Sequence, residues 1–187
     1  MKNLNWPNRL SLCRVALVPI CVALLQFSQP WCRAAALVVF CLAAFTDFLD
    51  GWIARKYKIV TTFGKFVDPV ADKLLVLSTM IALCGRGEFP AWACIVVLFR
   101  ELCVDGLRLV AAEQGHVIAA GKLGKLKTTI QLLTLILFLL DGRAYTAGGF
   151  TVGRVMVWLS VAVTLWSGVD YFRRNRSVFS FGEKPEE

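Results

Sequence analysis

Charged side chains are scarce in this chain. Lysine, arginine, aspartate and glutamate make up 18% of its 187 residues, against 57% hydrophobic residues. A soluble domain of this length would bury one core and show polar residues in every turn, and so apolar a composition argues against one. Histidine occurs once, as His116, which reads as a loop residue, and no Cys-x-x-Cys pair exists among the seven cysteines. Both shortages argue against a zinc site and against a disulfide framework. Cys13, Cys21, Cys41, Cys94 and Cys103 lie in or beside apolar runs and read as small buried hydrophobes. No A-x-A-like cleavage site follows the first apolar stretch, which Arg14 interrupts, so the stretch reads as a retained span and not as a signal peptide. Internal repeats and low-complexity segments are missing too.

Long apolar runs are what the chain has. Six stand out: Leu10 to Phe27, Ala34 to Ala54, Phe66 to just before Gly85, Pro90 to Val110, Thr128 to Leu140 and Thr151 to Phe172. Each is long for a strand and lacks its strict alternation. A helix satisfies every backbone group within its own segment, which a span across lipid requires. The breaks between the runs are turn-like at Gln26 to Pro30, at Gly85 to Pro90 and at Gly148-Gly149, and Trp6, Trp31 and Trp92 lie near run ends, where interfacial aromatics are expected. The expected architecture is all-α and integral to the membrane, with six transmembrane helices.

Six spans put both termini on one side. That side then carries all of the 21 lysines and arginines except Arg33, Arg86, Arg143 and Arg154, which makes it cytoplasmic. The net charge of +8 therefore reads as basic loops facing an anionic lipid surface, with no nucleic-acid partner. Residues 1–177 are expected to form one six-helix membrane domain, and residues 178–187, with their polar end Gly182-Glu-Lys-Pro-Glu-Glu187, a disordered cytoplasmic tail.

The rare acids cluster. Asp47-Phe-Leu-Asp50-Gly51-Trp-Ile-Ala54-Arg55 is followed, eight residues on, by Gly64-Lys-Phe-Val-Asp68-Pro-Val-Ala-Asp72. Asp47 and Asp50 are three residues apart and Asp68 and Asp72 four apart, so on helices each pair shares a face. Acids within membrane segments are costly and mark functional paths, and four close carboxylates stay ionised only beside cations. Oxygen donors with no histidine or cysteine nearby favour Mg²⁺, Mn²⁺ or Ca²⁺ over zinc, and four of them suit a two-metal site that clamps a phosphoryl group. Gly51 and Ala54 leave room for a nucleotide against the helix backbone, and Arg55 offers a planar fork to a phosphate. Gly64 is expected in the turn between the two helices. A single acid near an interface is often a solvated helix end; four acids beside small residues and an arginine argue against that reading.

These residues resemble the signature of the CDP-alcohol phosphotransferase family, D-x-x-D-G-x-x-A-R-x(8)-G-x-x-x-D-x-x-x-D. Asp47, Asp50, Gly51, Ala54, Arg55, Gly64, Asp68 and Asp72 match it at every specified position. Flanking stretches are similar to the bacterial phosphatidylglycerophosphate synthases of that family: Pro7-Asn8-Arg-Leu-Ser11-Leu-Cys-Arg14, Arg100-Glu101 with Gly106-Leu-Arg108, Gly121 to Thr128, and Thr164 to Tyr171. The resemblance covers nearly the whole chain apart from the acidic tail.

The resemblance implies the six-helix CDP-alcohol phosphotransferase fold in a bacterial inner membrane, a homodimer, and a polar cavity open to the cytoplasm. It implies that Asp47, Asp50, Asp68 and Asp72 surround two divalent cations, Mg²⁺ or Mn²⁺, while Gly51, Ala54 and Arg55 contact the CDP group. The implied donor is CDP-diacylglycerol, the implied acceptor glycerol 3-phosphate, and Asp72 is general base, metal ligand or both. A doubly charged acceptor needs a basic pocket, for which Arg108, Lys125 and Lys127 are the first candidates and Arg100 and Arg14 the next. Glu101 and Asp105 are expected to pair with these arginines. The rival readings are a cardiolipin synthase of the same family, with phosphatidylglycerol as acceptor, and a small cation-coupled transporter.

Overall fold

The computed structural model describes residues 6–57, 62–115, 118, 121–141, 151–176 and 178, with the backbone alone at 6–9, 47, 48, 50–57, 62–69 and 122. Among the described residues there are six helices and no strand: α1 (Trp6–Leu25), α2 (Pro30–Tyr57), α3 (Thr62–Gly85), α4 (Ala91–Glu113), α5 (Lys122–Leu140) and α6 (Val152–Arg174). Each contains most of one apolar run and continues into polar flanks. The clearest case is α5, which starts at Lys122, six residues ahead of its apolar run. Apolarity marks what a helix face touches, whereas the backbone ladder carries on through lysine and leucine, both good helix formers. Gly64 is the third residue of α3, not part of a turn. In a first turn its N–H has no intrahelical partner to lose. His116 and Gly148-Gly149 lie outside the described residues.

Local chemistry sets the described ends. Thr151 caps α6, its hydroxyl accepting from the Arg154 N–H at 3.4 Å, and Arg173 and Arg174 fall in the last turn, where cations suit the helix dipole. Gly87 and Gly115 follow α3 and α4 with φ of 68° and 77°, the left-handed conformation that closes a helix.

The main core forms where all six helices meet, around Cys21, Phe40, Met80, Phe138 and Val157, all fully buried, with Ala93, Cys94 and Val97 from α4. Cys21, Ala36 and Ala43 are small and without exposed surface, which lets α1 and α2 pack backbone to backbone. A second cluster joins Val104, Leu107 and Ala111 of α4 to Tyr171 and Val178. Packing thus extends to residue 178, one residue into the stretch read as tail. All seven cysteines are free; Cys21, Cys32 and Cys94 are buried, but Cys13 and Cys41 are exposed.

The outer surface is apolar. Leu42, Ile81, Phe99, Leu133 and Trp158 are among many large hydrophobic side chains more than half exposed, and every helix contributes exposed ones. A soluble monomer does not carry such a surface, and a membrane-associated protein does. Leu123–Leu140 and Val152–Arg174 are long and apolar enough to cross a membrane, while α1 and α2 contain shorter apolar stretches, Leu10–Leu25 and Pro30–Thr46. Trp31 is 67% exposed at the start of α2, and Trp92 near the start of α4 packs against Trp158 with the rings tilted by 41° and their centroids 4.8 Å apart.

Candidate active site

The backbone is helical through Asp47 and Asp50 on α2 and through Asp68 and Asp72 on α3, and the two helices are in contact. The three- and four-residue spacings therefore do place each pair of positions on one helix face. The side chains of Asp47, Asp50, Gly51, Ala54, Arg55 and Asp68 lie outside the described residues. Among the described side chains no three His, Cys, Asp or Glu residues come close enough to hold a metal.

Asp72 is described. Its carboxylate is 41% exposed and accepts from the fully buried Arg14 guanidinium at 2.5 Å. Arg14 thus bonds to the signature itself. Nothing in the spacing of two residues on different helices signals that contact.

Asp72 borders a cavity of about 340 Å³ between α3, α4, the start of α5 and the end of α6. Arg108, Lys125 and Lys127, the candidates for an acceptor phosphate, all line it, as do Arg100, Glu101 and Asp105. Helical spacing explains the α4 contribution: residues 101, 105 and 108 recur at intervals of four and three, so one stripe of α4 faces the cavity. Lys125 and Lys127 come from the first turns of α5, ahead of its apolar run.

The cations are held in place. The Lys127 ammonium, 6% exposed, donates to Glu101, which also receives Arg100 at 3.2 Å. Lys73 donates to both oxygens of Asp105, so Asp105 pairs with a lysine of α3 and not with an arginine of its own helix. The Arg108 Nε–H donates to the Tyr171 hydroxyl at 3.0 Å, and its guanidinium lies over the Tyr171 ring, 5.5 Å from the centroid. Arg100 Nε is buried without a hydrogen-bond partner among the described residues. Gly168 makes room for this arginine, since a Cβ there would stand 3.1 Å from Arg100 Cγ. Lys73 is among the cavity residues that the sequence did not single out as site candidates, and Tyr171 entered only as the end of a flanking stretch. The signal available was polarity inside apolar helices, with Gln131, Thr164 and Ser167 buried along α5 and α6 and Gln131 donating to Thr164 at 3.1 Å.

Such a site can do acid–base work beside a bound anion: an accessible carboxylate at one wall, fixed cations at the others. Known proteins match it along most of the chain. The CDP-alcohol phosphatidyltransferase family model matches residues 4–166. The CDP-diacylglycerol–glycerol-3-phosphate 3-phosphatidyltransferase of Bacillus subtilis (strain 168) is 39% identical over 183 residues, covering 91% of this chain and 95% of the relative. A Rickettsia bellii protein with the same name is 35% identical, covering 94% and 97%. The probable phosphatidylglycerophosphate synthase of Mycobacterium tuberculosis is 38% identical, covering 91% and 81%. With the signature intact from Asp47 to Asp72 and the family match spanning most of its length, the chain belongs to the CDP-alcohol phosphatidyltransferases.

Proposed function

We propose that this chain transfers the phosphatidyl group of CDP-diacylglycerol to sn-glycerol 3-phosphate, giving phosphatidylglycerophosphate and CMP. The observation that carries the reading is that Asp72 shares one cavity with Arg108, Lys125 and Lys127. An attacking hydroxyl needs a proton acceptor beside it, and an acceptor bearing a phosphate needs fixed cations a short distance away. The names of the relatives support the same donor and acceptor.

Asp47, Asp50, Asp68 and Asp72 would hold divalent cations, Mg²⁺ or Mn²⁺, two per site. The fit rests on an all-oxygen donor set on two packed helices and on the half-open Asp72 carboxylate. When bound, such ions neutralise the diphosphate and polarise its phosphorus. The residues of the chain do the rest. Gly51, Ala54 and Arg55 hold the CDP group against α2. Arg14 orients the Asp72 carboxylate, which takes the proton of the attacking C1 hydroxyl. Arg108, Lys125 and Lys127 hold the acceptor phosphate. The hydroxyl oxygen bonds to the phosphorus bearing diacylglycerol, the bond from that phosphorus to CMP breaks, and CMP leaves with the electron pair.

The chain crosses the membrane six times, with both termini and the cavity on the cytoplasmic side, and works as a homodimer. Exposed apolar side chains on all six helices and the one-sided lysines and arginines support the topology, and the family resemblance supports the dimer. The test feeds purified protein CDP-diacylglycerol with each acceptor in turn, with and without chelator. CMP release is expected with glycerol 3-phosphate and should vanish on chelation. Release with phosphatidylglycerol alone would make the protein a cardiolipin synthase, and cation flux without CMP release would make the acids transport sites.

A further inference from the structure

We infer that Asp105 is a specificity-determining residue that accepts a hydrogen bond from the middle hydroxyl of the acceptor, and this rests on the reading of glycerol 3-phosphate as that acceptor. The argument begins with position. Lys73 directly follows Asp72 on α3, and the Lys73–Asp105 pair lines the same cavity as the carboxylate that takes the proton. On α4, Asp105 precedes Arg108 by three residues, a rise of about 4.5 Å along the helix, and both line the cavity. Asp105 therefore links, through Lys73, the segment of α3 that carries Asp72 to the stripe of α4 that carries Arg108. The acceptor has a C1 hydroxyl that attacks, a C2 hydroxyl that does not react, and a C3 phosphate.

Chemistry then selects the C2 hydroxyl. A carboxylate repels a phosphate but accepts readily from a hydroxyl. The other described carboxylates at the cavity have other surroundings: Asp72 receives Arg14 and is the proton acceptor of the proposed reaction, Glu101 is buried under Lys127 and Arg100, and Asp170 on α6 receives Arg174 at 2.8 Å. Asp105 is 36% exposed at its side chain, and Lys73 occupies one direction at each oxygen. A carboxylate has about four lone-pair sites, so acceptor capacity remains for a ligand. Lys73 also keeps Asp105 oriented and partly neutralised, which lowers the cost of having a carboxylate near a doubly charged acceptor.

The experiment measures kcat/KM for glycerol 3-phosphate and for 3-hydroxypropyl phosphate, which lacks the middle hydroxyl, on the wild type, Asp105→Ala and Asp105→Asn. A hydrogen bond to a charged group predicts that the wild type favours glycerol 3-phosphate by about 10- to 100-fold. Asp105→Ala should bring the ratio near one, and Asp105→Asn, a neutral acceptor, should leave an intermediate ratio. A residue that only braces α3 against α4 would slow both acceptors alike and leave the ratio unchanged, which would overturn the inference. So would a wild type that does not discriminate. If Asp105→Ala does not purify folded, the asparagine variant decides by the same ratio. A wild type that releases no CMP with glycerol 3-phosphate overturns the acceptor reading itself, whereas normal release with an unchanged ratio overturns the role of Asp105 alone.

Discussion

At the end of the bundle where α1, α3 and α5 finish, Glu88 receives both Arg33 and Arg86. The remaining guanidinium donors there turn to backbone carbonyls. Arg33 donates to Phe138 O at 2.9 Å, and Arg86 to Leu25 O at 2.7 Å and Phe27 O at 3.1 Å. These are carbonyls at or just past helix ends, which have no intrahelical partner. At the other end, Arg14, Lys73, Arg100 and Lys127 also meet carboxylates, but the pairs with Lys73, Arg100 and Lys127 line a cavity on both sides of the pair. Both ends hold paired charges that are wholly or partly buried. In one, the charges tie the polypeptide to itself. In the other, acids hold cations in place around a space that a ligand fits. The presence of ion pairs in an apolar chain thus separates nothing; what their spare donors and acceptors face does.

Substitutions at the two ends should therefore differ in kind. The largest expected effect is at the cavity: Asp72→Asn should lower CMP release by about 10²- to 10⁴-fold with the fold intact, measured at saturating substrates. Residual activity near wild type would remove Asp72 from the chemistry. Next comes Glu101→Ala, which leaves Lys127 and Arg100 buried without their carboxylate and should cost about 3–5 kcal/mol of stability. The readout is thermal unfolding in detergent, and the glycerol 3-phosphate KM of surviving protein should rise as well. Glu88→Ala is the informative contrast. It should cost about 1–3 kcal/mol by the same melt and leave CMP release per folded molecule unchanged. Loss of turnover without loss of stability there would break the distinction between the two ends. Smallest is Arg174→Ala. That pair is largely solvent-exposed on the arginine side, and the melting change should correspond to less than about 1 kcal/mol.

The site was legible in sequence to the extent that its residues are periodic. The Asp47/Asp50 and Asp68/Asp72 pairs follow from 3.6 residues per turn and needed no coordinates, whereas the stripe of residues 101, 105 and 108 was recognised only once the cavity showed which face of α4 it lines. Gly64 misled because glycine signals a turn and tolerates a helix's first turn equally well. Lys73 reads as one more basic residue and Tyr171 as an aromatic at the end of an apolar run, so neither stood out as a site residue.

By itself the sequence determined the six helices found among the described residues, the spacing of the four aspartates and the family. Each is a property of order along one segment, set by backbone geometry and by the cost of placing charge in lipid. Only the tertiary structure decided the partners. Arg14 meets Asp72 across 58 residues, Lys73 takes Asp105, and Arg108 rests on Tyr171. Those contacts depend on how α1, α3, α4 and α6 cross, and a crossing is fixed by side-chain packing between helices that no single-helix period encodes.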